Sequence, residues 1–218
     1  MANNPITERT TPSALPPSTV EHMTDWLDAH SGVQGNVAEG FEPVARAFVD
    51  NFAERNETGA SVCVYVDGGP VVNLWGGVAN HKTNEPWRKE SASVVFSTTK
   101  GAAAICVAML AQQGKLDYDE PVATYWPEFA AQGKADITVG QLMSHQAGLA
   151  YADPPLPLEE ILKVTPVVET LAAQAPAWEP GTKHGYHALT FGWLAGELVR
   201  RIDGRTIGRY FAEEVAGV

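Results

Sequence analysis

Apolar residues recur every three or four positions between Phe41 and Arg55, which puts Phe41, Val44, Ala45, Phe48 and Phe52 on one side of a helix. The rhythm then changes. Two runs rich in β-branched and apolar residues, Ala60–Val66 and Val71–Val78, flank Asp67-Gly68-Gly69-Pro70, and this turn chemistry predicts a β-hairpin. From Ser97 onward helical spacing returns and predicts helices over Ser97–Gln113, Thr138–His145, Pro157–Gln174, Leu189–Ile202 and Thr206–Val215. Residues 3–19, rich in Pro, Ser and Thr, carry too little apolar surface to order themselves by burial and read as a flexible leader, followed by a short helix over Val20–His30. The chain thus divides into residues 1–35, leader and short helix, and residues 36–218, an incomplete domain with a helix and hairpin in 36–95 and a helical region in 96–218.

A two-stranded hairpin is rarely stable alone, and no further strand is legible after residue 96. Either the helices cover the hairpin directly, or the missing strands lie beyond Val218 or on another chain. The pattern also stops just after the amphipathic stretch around Tyr210, Phe211 and Val215, without a polar tail. The expectation is an N-terminal portion that a C-terminal complementary polypeptide or a second chain completes.

Composition narrows the function. With 218 residues, 44% apolar and 19% charged, the chain is an ordinary globular one. Its 26 acidic against 15 basic residues leave a net charge of -11, which repels phosphate backbones and anionic lipid, so nucleic acid is not an expected partner. The longest strongly apolar run, Gly101–Ala111, is too short to span a bilayer, and Met1–Ser18 lacks a basic start followed by an apolar stretch. No membrane partner is expected. Cys63 and Cys106 are isolated, lack paired spacing and sit in apolar runs, which predicts buried free thiols and a cytoplasmic, reducing location. The six histidines show no HExxH pattern, so no metal is expected, and the chemistry proposed below requires no cofactor.

Ser97-Thr98-Thr99-Lys100 has the Ser-x-x-Lys spacing of a serine nucleophile motif. With 8 Ser and 7 Lys in the chain, chance supplies roughly a quarter of one such match, so context must decide. Val94, Val95 and Phe96 run into Ser97, and Ala102–Leu110 are apolar on every face, which predicts a buried helix. A serine at that helix start lies near free N–H groups and the positive dipole end, which can support an oxyanion. Lys100 falls one turn on, on the same face, where burial would lower its ionisation and a neutral or proton-sharing amine could activate the serine. The plainer alternative is an N-capping Ser97 with a solvated Lys100. Tyr186 lies in the Gly-bracketed segment Gly181-Thr182-Lys183-His184-Gly185-Tyr186, and a tyrosine beside a lysine can act as general acid and base. Its plainer alternative is a half-buried aromatic with a satisfied hydroxyl. Trp178 and the Pro-rich Asp153–Pro157 loop are candidates for a substrate pocket or for surface packing.

Three blocks together, Val94 to Gly101 around Ser-x-x-Lys, Ile137-Thr138-Val139-Gly140-Gln141-Leu142-Met143-Ser144-His145-Gln146-Ala147-Gly148-Leu149, and Pro180-Gly181-Thr182 through Tyr186, resemble the serine β-lactamase-like superfamily. The similarity covers roughly residues 40–218 and is to the branch that groups class C β-lactamases with family VIII carboxylesterases. It implies an α/β (α+β) fold, an antiparallel sheet with an all-helical region, the C-terminal part of the sheet lying outside this chain. It implies Ser97 as the acylated nucleophile, Lys100 as its proton partner and Tyr186 as the base that also protonates the leaving group. His184 and His187, which flank Tyr186, and Trp178 are expected to touch substrate. The Thr138–Leu149 block, with Ser144, His145 and Gly148, is expected to order a helix end near the site.

Two departures from the family matter. Class C β-lactamases usually carry Tyr-x-Asn, whose Asn binds the lactam amide, whereas this chain has Ala188 there. That favours esters, which need no amide recognition. The resemblance also assigns one of the two oxyanion-hole N–H groups to a strand outside this chain, the other being that of the serine. The expectation is therefore a serine hydrolase of small carboxylic esters, fully active only with a C-terminal segment. The alternatives are a non-catalytic binding module of the same fold, and β-lactamase or D-peptidase activity.

Overall fold

A computed structural model describes residues 32–217 of the chain, so the expected leader and the Val20–His30 helix lie outside the described residues. The described residues form two compact units, divided between Ser93 and Val94. In the first, an antiparallel sheet has the order β1-β3-β2, with β1 at Val33–Val37, β2 at Gly59–Val66 and β3 at Gly69–Asn80, while the short β4, Glu85–Pro86, pairs with the end of β3. The hairpin forms as expected. Val62 pairs with Leu74 and Val64 with Val72, and the two-residue turn Asp67-Gly68 has both φ angles positive, which matches the twist of its strands.

Strand β1 is not legible in the sequence, and it crosses the boundary drawn at residue 35. Gln34, Gly35 and Asn36 are poor strand formers, and the segment is held as a strand by its pairing with β3, Val33 opposite Gly76 and Val37 opposite Val72. Among the described residues the sheet thus adds β1 from before the hairpin and the two-residue β4 from after it. Helix α1, Glu42–Glu54, packs Ala45 and Phe48 with Val33, Val37, Val71, Val72 and Leu74. Phe41 and Phe52 pack at the edge of this cluster, while Val44 turns outward. Cys63 is also exposed, because strand alternation places it with Ser61 and Tyr65 on the outer face; of the two thiols only Cys106 is buried, and burial pushes its ionisation up.

The second unit is helical. A 3-10 turn, Phe96–Thr98, leads into α2, Thr99–Gln112, and α3 follows at Val122–Tyr125. Helices α4, Val139–Met143, α5, Leu158–Ile161, and α6, Thr165–Ala173, precede α7, Thr190–Asp203, and α8, Ile207–Phe211. The expected long helix over Pro157–Gln174 is thus broken in two. Pro166 has no N–H and fits only in the first turn of a helix, so α6 starts anew at Thr165 after Val164, whose φ is +67°.

The core joins Cys106, Val107 and Leu110 of α2 to Leu194, Leu198 and Val199 of α7, with Trp126, Phe129, Leu142 and Tyr210 closing it. Among the described residues only one face of α2 is covered. Ile105 on the opposite face is 48% exposed, so the expectation of a helix buried on every side fails. Lys134 is enclosed without a carboxylate partner among the described residues: its Nζ donates to the carbonyls of Ala131 and Gln174, the latter at the C-terminal end of α6, and burial pushes its ammonium below the ordinary lysine value.

Candidate active site

Ser97 lies in the 3-10 turn, exposed, and Lys100 lies one turn later at the start of α2, half-buried. Lys100 Nζ donates to Ser97 Oγ at 3.1 Å and to the Ala188 carbonyl at 2.6 Å, and stands 4.9 Å from the centre of the Tyr186 ring. Three residues spread over 90 positions of sequence therefore meet at one cation. The Ser97 hydroxyl, followed by the Lys100 hydrogen bond and charge, holds the Tyr186 phenol below its ordinary value, against a smaller opposing effect of desolvation. The free N–H groups expected at the helix start are largely engaged, since Thr98 donates to Val95 and Thr99 to Phe96 and Ser97. The run Val94-Val95-Phe96 is exposed, Phe96 to 82%, with φ of +43° at Phe96.

Tyr186 is carried by a loop seated on the end of α4. Thr138 begins that helix with a reciprocal capping box: its Oγ1 accepts from the Gln141 N–H, and the Gln141 side chain accepts from the Thr138 N–H. Beyond the helix the chain is laced to the Tyr186 loop. Gly181 N–H donates to the Gln146 carbonyl, Gly185 N–H to the His145 carbonyl and Ala177 N–H to the Gly148 carbonyl, while Thr190 Oγ1 donates to the Leu149 carbonyl. Ser144 Oγ returns to the Gly140 carbonyl at 2.7 Å.

Gly148 has φ of +74°, and a Cβ there meets Pro176 Cβ at 2.8 Å and the Trp178 carbonyl at 2.9 Å. Gly148→Ala is therefore expected to destabilise the second unit by about 1–3 kcal/mol, read as a fall in the denaturant midpoint with unchanged slope. The three blocks read from the sequence form one assembly, the middle one holding the third.

The flanking candidates separate. His187 is fully buried: its Nε2 accepts from the Leu149 N–H at 3.0 Å and its Nδ1 meets the Gly185 carbonyl at 2.5 Å. With both ring nitrogens engaged inside the protein it does not face substrate, contrary to expectation. Trp178 is half-buried, its Nε1 donates to the Lys183 carbonyl at 3.2 Å, and its ring lies over Gly185, so that a Cβ there would meet it at 2.3 Å. Trp178 braces the Tyr186 loop. His184 is exposed on that loop. The sequence did not disclose the Ala188 carbonyl, because a backbone acceptor leaves no trace in residue type. Among the described residues no cluster of His, Cys, Asp or Glu could hold a metal ion, and no helix is long and apolar enough to cross a membrane.

A family model described as Beta-lactamase matches residues 44–218, and the chain belongs to that family. Among curated proteins it is 43% identical over 192 residues to Esterase/beta-lactamase LipL of Mycobacterium tuberculosis (strain ATCC 25618 / H37Rv), covering 88% of this chain and 44% of that protein. Among solved structures it is similar to a family VIII carboxylesterase, with a TM-score of 0.80 and 46% identity over 84% of this chain and 50% of the other. A penicillin-binding protein homologue from Caulobacter crescentus gives a TM-score of 0.79 at 40% identity, covering 85% of this chain and 50% of the other. The fold is the β-lactamase and penicillin-binding-protein fold, and the chain spans about half the length of these relatives. Its family is one of esterases and related hydrolases.

Proposed function

We propose that this chain carries the acylating groups of a serine hydrolase of small carboxylic esters. The observation that carries the reading is the hydrogen bond from Lys100 Nζ to Ser97 Oγ, with the same Nζ 4.9 Å from the centre of the Tyr186 ring. In acylation Ser97 Oγ attacks the ester carbonyl, and its proton passes to the Tyr186 phenolate. The Lys100 side chain, anchored on the Ala188 carbonyl and hydrogen-bonded to Ser97, lies against the Tyr186 ring and stabilises the phenolate. Collapse of the tetrahedral intermediate expels the alcohol, which takes the proton from Tyr186. Water then attacks the acyl-serine by the same route in reverse, releasing the acid and restoring Ser97.

Esters are favoured over lactams by Ala188. Where the lactamases of the resemblance place an amide-binding Asn, this chain offers a methyl group and spends the backbone carbonyl on Lys100. The solved relative named as a family VIII carboxylesterase supports the same choice. The Ser97 N–H is the oxyanion donor this segment can offer. A second donor, assigned by the resemblance to a strand outside residues 1–218, is expected to add roughly a hundredfold or more to the rate when supplied by further polypeptide, continuous or separate. The exposed apolar side chains of Phe96 and Leu189, neighbours in sequence of Ser97 and Ala188, support such a cover.

The reading is tested by comparing p-nitrophenyl acetate, a chromogenic cephalosporin and a D-alanyl-D-alanine peptide at equal enzyme concentration. The ester is expected to give the highest kcat/KM. A higher value for the lactam or the peptide overturns the ester assignment.

A further inference from the structure

Both peptide groups that flank Tyr186 are held by two histidines that the reaction above does not use. Gly185, immediately before it, is clamped on both sides: its N–H donates to the His145 carbonyl at 3.0 Å, and its carbonyl meets His187 Nδ1 at 2.5 Å. Immediately after it, the His187 N–H donates to His145 Nδ1 at 3.2 Å. The His145 ring also stands edge-on to the Tyr186 ring, with centroids 5.1 Å apart, and packs at 5.4 Å from His187 and 5.2 Å from Phe191.

These contacts fix the proton positions. His187 Nε2 accepts from the buried Leu149 N–H, so it carries no proton and Nδ1–H is the donor to Gly185. His145 Nδ1 accepts from the His187 N–H, so its ring proton sits on Nε2. Each ring thus serves as an acceptor that an added proton abolishes, and protonated His187 would turn one N–H directly against another.

We propose that His145 and His187 are positioning residues that hold Tyr186 over Ser97 and Lys100 only while both imidazoles are neutral, giving the site an acid-side switch separate from its reacting groups. The catalytic consequence rests on Tyr186 being the base of the reaction proposed above. The structural part stands on the hydrogen bonds alone.

The surroundings favour the neutral pair. Burial, then the Lys100 ammonium from α2 and His184 from the loop, hold His145 below the ordinary histidine value. Burial and neighbouring His145 do the same for His187, against an opposing contribution from the Gly185 carbonyl. Tyr186, Trp178 and Phe191 complete the enclosure, and no carboxylate among the described residues acts on either ring. A base whose folded value is depressed is neutral, and its contribution intact, above the unfolded histidine value of about 6.5. The contribution is lost as pH falls through the lower folded values.

The test is a pH titration of the full chain labelled with 15N-histidine and ring-labelled tyrosine, followed by NMR. At neutral pH His187 is expected as the Nδ1–H tautomer and His145 as the Nε2–H tautomer. Tyr186 ring signals should move with imidazole protonation below about pH 6.5. A cationic or Nε2–H His187 at neutral pH, or Tyr186 signals that stay fixed through that titration, overturns the proposal.

His145→Asn supplies the second arm, since its amide oxygen replaces the Nδ1 acceptor but does not titrate. The limb of ester turnover below about pH 6.5, separate from the higher one that Tyr186 ionisation gives, should move to lower pH than in the wild type when normalised to its own plateau. His145→Ala, which supplies no acceptor, should lose about a hundredfold in kcat/KM. An acid limb identical in wild type and His145→Asn overturns the proposal. If no form turns over ester, the assigned reaction fails while the NMR titration still decides the positioning role.

Discussion

Ser97→Ala removes ester turnover by a factor on the order of 10⁶ in any form of the protein that turns over, leaving only the background that binding and oxyanion donors sustain. The size follows from the arrangement. Lys100 Nζ and the Tyr186 phenol converge on one hydroxyl, and neither can itself form the acyl intermediate in its place. The substitution removes one exposed oxygen, so the fold should be unchanged and the unfolding free energy should stay within about 0.5 kcal/mol of the wild type. Because the Ser97 hydrogen bond is the largest influence lowering the Tyr186 phenol, Ser97→Ala should also raise the pH at which tyrosinate absorbance appears. A variant that retained substantial ester turnover would move the nucleophile elsewhere.

Tyr186→Phe is the second large expected effect, a loss of about 10²–10⁴ in kcat/KM, the usual worth of a positioned general base. The working form is the phenolate, which is populated above its ionisation, and that ionisation is lowered below the ordinary tyrosine value of about 10, first by Ser97 and then by Lys100. Wild-type activity is therefore expected to rise with pH through a limb that lies below 10, and Tyr186→Phe should lack that limb. Lys100→Met should move the same limb upward, because the hydrogen bond and charge that favour the phenolate are gone. The three measurements separate base from anchor. Loss of the limb identifies the group that titrates, and its displacement identifies the group that tunes it. A pH profile in Tyr186→Phe with the same limb as the wild type would assign the base to another residue.

Much of this site could be read from the chain because its parts are short, local signals. The spacing of three between Ser97 and Lys100 puts both on one helical face in any helix, and the capping box of Thr138 and Gln141 starts α4 where the pattern says. The hairpin turn Asp67-Gly68 is equally local, since its backbone conformation is set by the residues themselves.

What escaped depends on contacts distant in sequence. Strand β1 has only two strand-forming residues and exists because β3 pairs with it, which no window over Val33–Val37 can show. The exposed face of α2 escaped because apolar residues on every side announce burial without saying what does the burying. His187 looked available to substrate because it neighbours Tyr186; its true surroundings are Leu149 and Gly185, and only the fold brings the first of these near. The anchor of Lys100, a carbonyl 88 positions away, has no side-chain signature at all.

All the groups argued to activate Ser97 lie within Val94–Val218, so the central claim can be examined on this chain. The most direct measurement is intact mass before and after a serine-reactive fluorophosphonate, on the wild type and on Ser97→Ala. The account predicts a single phosphonyl adduct on the wild type and none on Ser97→Ala under the same conditions. A folded wild-type chain that stays unlabelled, or a Ser97→Ala chain labelled to the same extent, would contradict it.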